Sequence, residues 1–129
     1  MSDEEINMEI LLDHYRSPRN YGKIDNPSVQ LVEYNPVCGD AVQFSLKIDN
    51  GILTDVKFIG RGCSVSQGAA SILTEKVKGK STEEVMNIGA EEILKNIGLN
   101  LGPSREKCAL LSLNALQKSV KKYRDGKNE

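Results

Sequence analysis

The sequence predicts an α+β fold: a three-stranded antiparallel meander packed against several helices, the last of them long. Three observations carry that expectation. Residues 29–59 hold stretches in which apolar and polar residues alternate. An Asn50-Gly51 pair, a strong two-residue hairpin signal, separates two of them. From residue 66 onward the apolar spacing changes to that of helices, so strands precede helices rather than alternating with them. The 129 residues show no internal repeat and no linker, and residues 1–129 are expected to form one domain.

The elements follow in order. Residues 4–16 read as a helix opened by Ser2 and Glu5, which have the form of a capping box. Ile6, Ile10 and His14 fall four apart, and Met8, Leu11, Leu12 and Tyr15 widen the expected apolar side. Ser17-Pro18-Arg19-Asn20 and Gly22 break the helix, and loop is expected as far as Pro27. Residues 29–34 have the β-branched, alternating character of a strand, interrupted by Asn35-Pro36 because proline cannot donate to a ladder. Val42, Phe44, Leu46 and Ile48 alternate with polar residues in a second strand, and residues 52–59 form the third, with Val56 and Phe58 on one face. Ala69, Ala70, Leu73 and Val77 define a helix over 66–78 that ends before Gly79. Ser81-Thr82-Glu83-Glu84 opens a short helix, and residues 91–97 form another. Gly98, Gly102 and Pro103 mark a break before a final helix over 104–123 with Ala109, Leu113, Leu116 and Val120 as its buried stripe.

Charge narrows the function. The chain has 17 basic and 18 acidic residues, a net charge of −1, and so no broad field for gripping phosphate backbones; nucleic acid is not expected as a partner. Lys118, Lys121, Lys122, Arg124 and Lys127 cluster near the end, either as a solvated helix terminus or as a docking surface for an acidic partner. No apolar run approaches the roughly 20 residues that cross a bilayer, and no membrane association is expected. The acidic start Met1-Ser2-Asp3-Glu4-Glu5 is unlike a signal peptide, which points to the cytoplasm. Three cysteines there are reduced, and an odd number cannot all pair within one chain.

Each cysteine sits at a boundary between elements: Cys38 between two strands, Cys63 after Gly60-Arg61-Gly62 and before a helix, Cys108 in the first turns of the last helix. Helix N-termini favour negative charge and so favour the thiolate form at Cys63 and Cys108. At about 100° per residue Cys108 flanks the apolar stripe of its helix rather than centring it. Gly39 and Gly62 let backbone N–H groups approach the neighbouring sulfurs, as metal sites require. Cys38 and Cys63 are 25 residues apart and Cys63 and Cys108 are 45 apart, with no C-x-x-C pair, unlike a zinc finger or a bacterial ferredoxin. Spacing alone does not separate a shared site from three unrelated buried cysteines. The sole histidine, His14, is read as a packing or surface residue rather than a ligand.

The surrounding residues say more. Asn35-Pro36-Val37-Cys38-Gly39-Asp40, then Gly60-Arg61-Gly62-Cys63-Ser64-Val65-Ser66-Gln67-Gly68-Ala69-Ala70-Ser71, then Arg105-Glu106-Lys107-Cys108-Ala109-Leu110-Leu111 closely resemble the IscU/NifU-type scaffold family. His14-Tyr15-Arg16-Ser17-Pro18-Arg19-Asn20-Tyr21-Gly22 is similar to that family's N-terminal segment, and the resemblance runs from about residue 8 to residue 122. It implies a scaffold or carrier, not an enzyme, on which a [2Fe–2S] cluster is built from iron, brought by an iron donor, and persulfide sulfur from a cysteine desulfurase. The cluster then passes to apo-proteins. The family's ligand cysteines match Cys38, Cys63 and Cys108, and Asp40 matches the aspartate of its Cys-x-Asp motif; zinc can occupy the same site in its members. Read from the residues alone, Asp40 is either a turn cap or a fourth, weaker ligand suited to releasing a cluster.

Two departures matter. Lys107 stands where many IscU proteins have histidine, and a cation is a poor ligand at neutral pH. Its open roles are a solvated helix residue, a partner for Asp40 in the empty state, or an influence on a nearby thiol. Leu101-Gly102-Pro103-Ser104-Arg105 replaces the Leu-Pro-Pro-Val-Lys segment of IscU, which leaves the family's dedicated chaperone without its recognition sequence. Arg105 three residues before Cys108 resembles the SufU branch, although that branch's extra segment between the second and third cysteines is absent. The alternative function is therefore a zinc-dependent sulfurtransferase with Cys108 as persulfide acceptor. A cluster with an exposed edge can also be shared or shielded by a second subunit, a homo-oligomer.

Overall fold

The computed structural model describes residues 2–36 and 39–127. Helix α1 (Asp3–Arg16) precedes strands β1 (Val29–Asn35), β2 (Asp40–Asp49) and β3 (Ile52–Arg61). Helices α2 (Ser64–Val77), α3 (Thr82–Met86), α4 (Ala90–Ile97) and α5 (Pro103–Lys127) follow. The strands form an antiparallel sheet in the order β1-β2-β3, the expected meander. Asn50 and Gly51 turn between β2 and β3 with φ of 53° and 76°, the positive pair a tight hairpin needs.

Alternation along the strands decides which face is covered. Val42, Phe44, Leu46 and Ile48 of β2 are all buried, as are Leu53, Val56 and Phe58 of β3. Onto that face pack α2, through Ala69, Ala70, Leu73 and Val77, and α5, through Ala109, Leu113, Leu116 and Val120. Buried α5 residues extend beyond the expected stripe, because Cys108, Ser112, Ala115 and Ser119 form a second row. The helix lies against both α2 and the sheet, so one side chain in three or four does not fill its covered face. Pro103 is its first residue, where the missing N–H costs nothing.

Caps appear where the sequence places them. Ser2 Oγ accepts from Glu5 N–H at 3.2 Å, and Ser81 and Glu84 complete a full capping box at α3. Residues 20–22, expected as loop, are tied to the edge of β3: Gly22 N–H donates to Phe58 O and Phe58 N–H to Asn20 O. No helix among the described residues is long and apolar enough to cross a membrane.

The expectation for α1 needs correction. Leu11 and His14 are its buried residues, whereas Ile6, Met8, Ile10 and Tyr15 are 41–47% exposed. The cause lies in α2, where a Cβ on Gly68 would meet Leu11 Cδ1 at 2.7 Å and Leu11 O at 2.8 Å. Such close approach brings one narrow row of α1 into contact and leaves the flanking rows outside.

His14 pins α1 to α2. Ser71 Oγ accepts the Arg19 N–H at 2.8 Å and lies within hydrogen-bond distance of His14 Nδ1, also 2.8 Å. The other ring nitrogen, Nε2, faces Glu75 Oε1 at 3.6 Å. Burial pushes the His14 pKa below its ordinary value of 6.5, and the Arg19 cation adds to this against Glu75 and Asp13. The unfolded chain therefore binds the proton more readily, and stability is lost as pH falls through about 6.5. The expected result is a melting temperature that falls more steeply from pH 7 to 5 in the wild type than in His14→Gln. Parallel curves would assign the acid sensitivity elsewhere.

Candidate metal and sulfur site

Three elements deliver the site: the start of β2, the turn from β3 into α2, and the second turn of α5. Asp40, expected in a loop, is the first residue of β2 and pairs with Asn35 at the end of β1. It continues the row Val42, Phe44, Leu46, so its carboxylate points into the covered side and is 2% exposed. A buried carboxylate needs donors. Asp40 Oδ1 accepts the Cys63 N–H at 3.0 Å, and the Cys63 thiol lies 3.7 Å from Oδ2.

Gly62 makes this contact possible. Its φ is +140°, and a Cβ there would stand 2.0 Å from Asp40 Oδ1 and 2.9 Å from Asp40 Cβ. Cys63 is the N-cap of α2, and its sulfur accepts the Ser66 N–H at 3.5 Å. Ser66 Oγ in turn donates to Cys63 O at 3.1 Å. Gln67 Nε2 donates to Arg61 O at 3.1 Å and to Ser66 Oγ at 3.0 Å, fastening the strand end to the helix start. Cys63 thus stands at the start of α2 with a backbone N–H on its sulfur, at the element boundary where the sequence places it.

Cys108 differs. It is the sixth residue of α5, beyond the first turn where the helix dipole acts, and is 1% exposed. Asn35 Nδ2 approaches its sulfur at 4.0 Å. One ligand atom each from Asp40, Cys63 and Cys108 lies within 4.8 Å of the others. Two thiols and a carboxylate so arranged suit zinc or an iron–sulfur unit, soft donors joined by one harder one. The fourth expected ligand, Cys38, lies outside the described residues.

Comparison with known proteins gives the family. Residues 6–129 match the NifU-like N-terminal domain. The chain belongs to that family. Among NifU-like relatives, it is 36% identical to the zinc-dependent sulfurtransferase SufU of Bacillus subtilis, over 92% of this chain and 91% of that one. It is equally 36% identical to the iron-sulfur cluster assembly scaffold protein IscU of Haemophilus influenzae, over 90% and 94% of the two chains. FiSufU from Fervidobacterium islandicum AW-1 superposes with a TM-score of 0.77 at 26% identity, over 92% and 99% of the chains. The N-terminal part of a NifU-like protein from Brucella abortus shares the fold, with a TM-score of 0.74 at 18% identity, covering 91% and 93%.

Other expected residues fall outside the constellation. A Cβ on Gly39 would meet nothing within 4 Å, although its φ of +71° suits the turn into β2. Lys107 is exposed and, among the described residues, makes no ion pair with Asp40; helix α5 directs it outward while Cys108 points in. Sequence reasoning missed Asn35, Ser66 and Gln67. Ser66, three residues beyond Cys63, stands at the position whose N–H an N-cap satisfies, and that spacing was the available signal.

Proposed function

We propose that this chain is a scaffold on which a [2Fe–2S] cluster is assembled from iron and desulfurase-derived sulfur and then passed to apo-proteins. The observation that supports it best is the convergence of the Asp40, Cys63 and Cys108 donor atoms within 4.8 Å at the junction of three elements. Cys38 is the fourth donor in this reading. Thiolates hold iron and sulfide; the carboxylate of Asp40 holds more weakly and opens the way to release. N–H groups of Cys63 and Ser66 orient the carboxylate and a sulfur respectively. Such a protein carries its cargo without turning over a substrate of its own. Its partners are a cysteine desulfurase and apo iron–sulfur proteins, in the cytoplasm.

The similarity to SufU over nearly its full length favours a second reading, a zinc-dependent sulfurtransferase that relays persulfide through Cys108. Cys108 is almost fully buried, so that relay requires its sulfur to become exposed. Anaerobic reconstitution with iron, sulfide and desulfurase, followed by metal analysis and visible spectra, decides between them. The scaffold reading expects a brown, oxygen-sensitive protein that transfers its cluster to apo-ferredoxin. Retained zinc with no cluster would sink it. The relay reading expects faster desulfurase turnover on adding the chain, lost in Cys108→Ser.

A further inference from the structure

A groove of about 330 Å³ runs between the end of β1 and the outward face of α5, beside the thiol site but separate from it. Lys107, Leu111, Asn114 and Lys118 recur at i, i+4, i+7 and i+11, which puts them on one face of α5. Opposite them, β1 contributes Glu33 and Asn35. The buried Oε2 of Glu33 takes the Lys118 ammonium as its partner, an ion pair that crosses the groove. Were Lys118 absent, Glu33 would repel any second anion. With it, the groove holds two cations against one carboxylate, and Lys107 is exposed at its rim with no ion pair among the described residues.

We propose that this groove binds a small carboxylate-bearing molecule, between an amino acid and a tripeptide in size, with Lys107 as charge partner and Asn114 as hydrogen-bond donor. The volume lies at the small end of ligand clefts and is too small for a folded element. Leu110 and Leu111 supply an apolar floor between the polar walls, as an amino-acid stem requires. Asn35 ties this site to the other, since its amide reaches Cys108 Sγ at 4.0 Å and also lines the groove.

Titration of the ¹⁵N-labelled, metal-free, reduced full chain with reduced glutathione tests this, and with no metal present the result is independent of whether a cluster is assembled. Saturable shifts are expected at Lys107, Leu111 and the Asn114 side chain, with a midpoint of about 1–10 mM, as befits one exposed charge pair with hydrogen bonds. Lys107→Gln should weaken binding about threefold or more, and Lys107→Arg should retain it. S-methylglutathione should bind as well as glutathione, while the diethyl ester should not. Shifts that do not saturate, that persist with the ester, that survive Lys107→Gln, or that centre on Lys121 and Arg124 would each overturn the proposal.

Discussion

Gly62→Ala is expected to take the donor site apart while the sheet and helices stay folded. The new methyl would lie 2.0 Å from Asp40 Oδ1, 2.7 Å from its Cγ and 2.9 Å from its Cβ, so rotating the carboxylate alone does not relieve the clash. Asp40 cannot retreat easily, because β2 is paired on both sides there, Asp40 with Asn35 and Ala41 with Arg61. The carboxylate must therefore leave the Cys63 N–H, forfeiting a hydrogen bond to a charged acceptor worth about 1.5–3 kcal/mol. Holding a residue with a side chain at φ +140° adds about 1–3 kcal/mol of backbone strain. For a domain of this size the sum lowers the melting temperature by roughly 10 °C or more. Zinc competition should show affinity weakened at least about tenfold, the usual consequence of losing a partner that orients a ligand. A melting temperature and zinc affinity both unchanged would mean that Asp40 does not sit against Gly62.

How far the sequence foretold this site depends on the kind of pattern involved. Strand alternation and capping pairs are local, and β2, the Asn50-Gly51 turn and the α3 capping box all lie where those patterns put them. Alternation also carried more than was drawn from it. Extending the row Ile48, Leu46, Phe44, Val42 by two residues places Asp40 on the covered face, and so marks it as a buried carboxylate needing a donor. Asn35-Pro36 suggested an earlier end to the strand, yet Asn35 itself pairs in the ladder; only Pro36 leaves it. In α1, the apolar residues Ile6, Ile10 and Tyr15 suggested a broad covered face, and nothing local could reveal that Gly68 draws the helix onto the single row of Leu11 and His14. Convergence of Cys63 and Cys108 is likewise nonlocal. Their spacing carries no geometric code, and the resemblance of their flanking segments, rather than any periodicity, pointed to a common site.

Asp40 has a structural task, holding the Cys63 N–H, and a proposed one as a weak ligand, and Asp40→Asn set against Asp40→Ala should part them. As a structural group it accepts the Cys63 N–H at 3.0 Å from a position shielded from water. Asparagine keeps an acceptor oxygen in the same place, whereas alanine leaves that N–H without it. In metal-free protein Asp40→Ala should therefore lose about 1.5–3 kcal/mol, and Asp40→Asn clearly less. As a weak ligand the carboxylate needs its charge, which neither variant supplies. Reconstituted cluster should then survive in both, held by the thiolates, while its transfer to apo-ferredoxin slows in both. Stability restored by asparagine without restored transfer would separate the cap from the ligand. Transfer at the wild-type rate in Asp40→Asn, with an unchanged spectrum, would leave Asp40 a structural acceptor for Cys63 and place cluster release with another group.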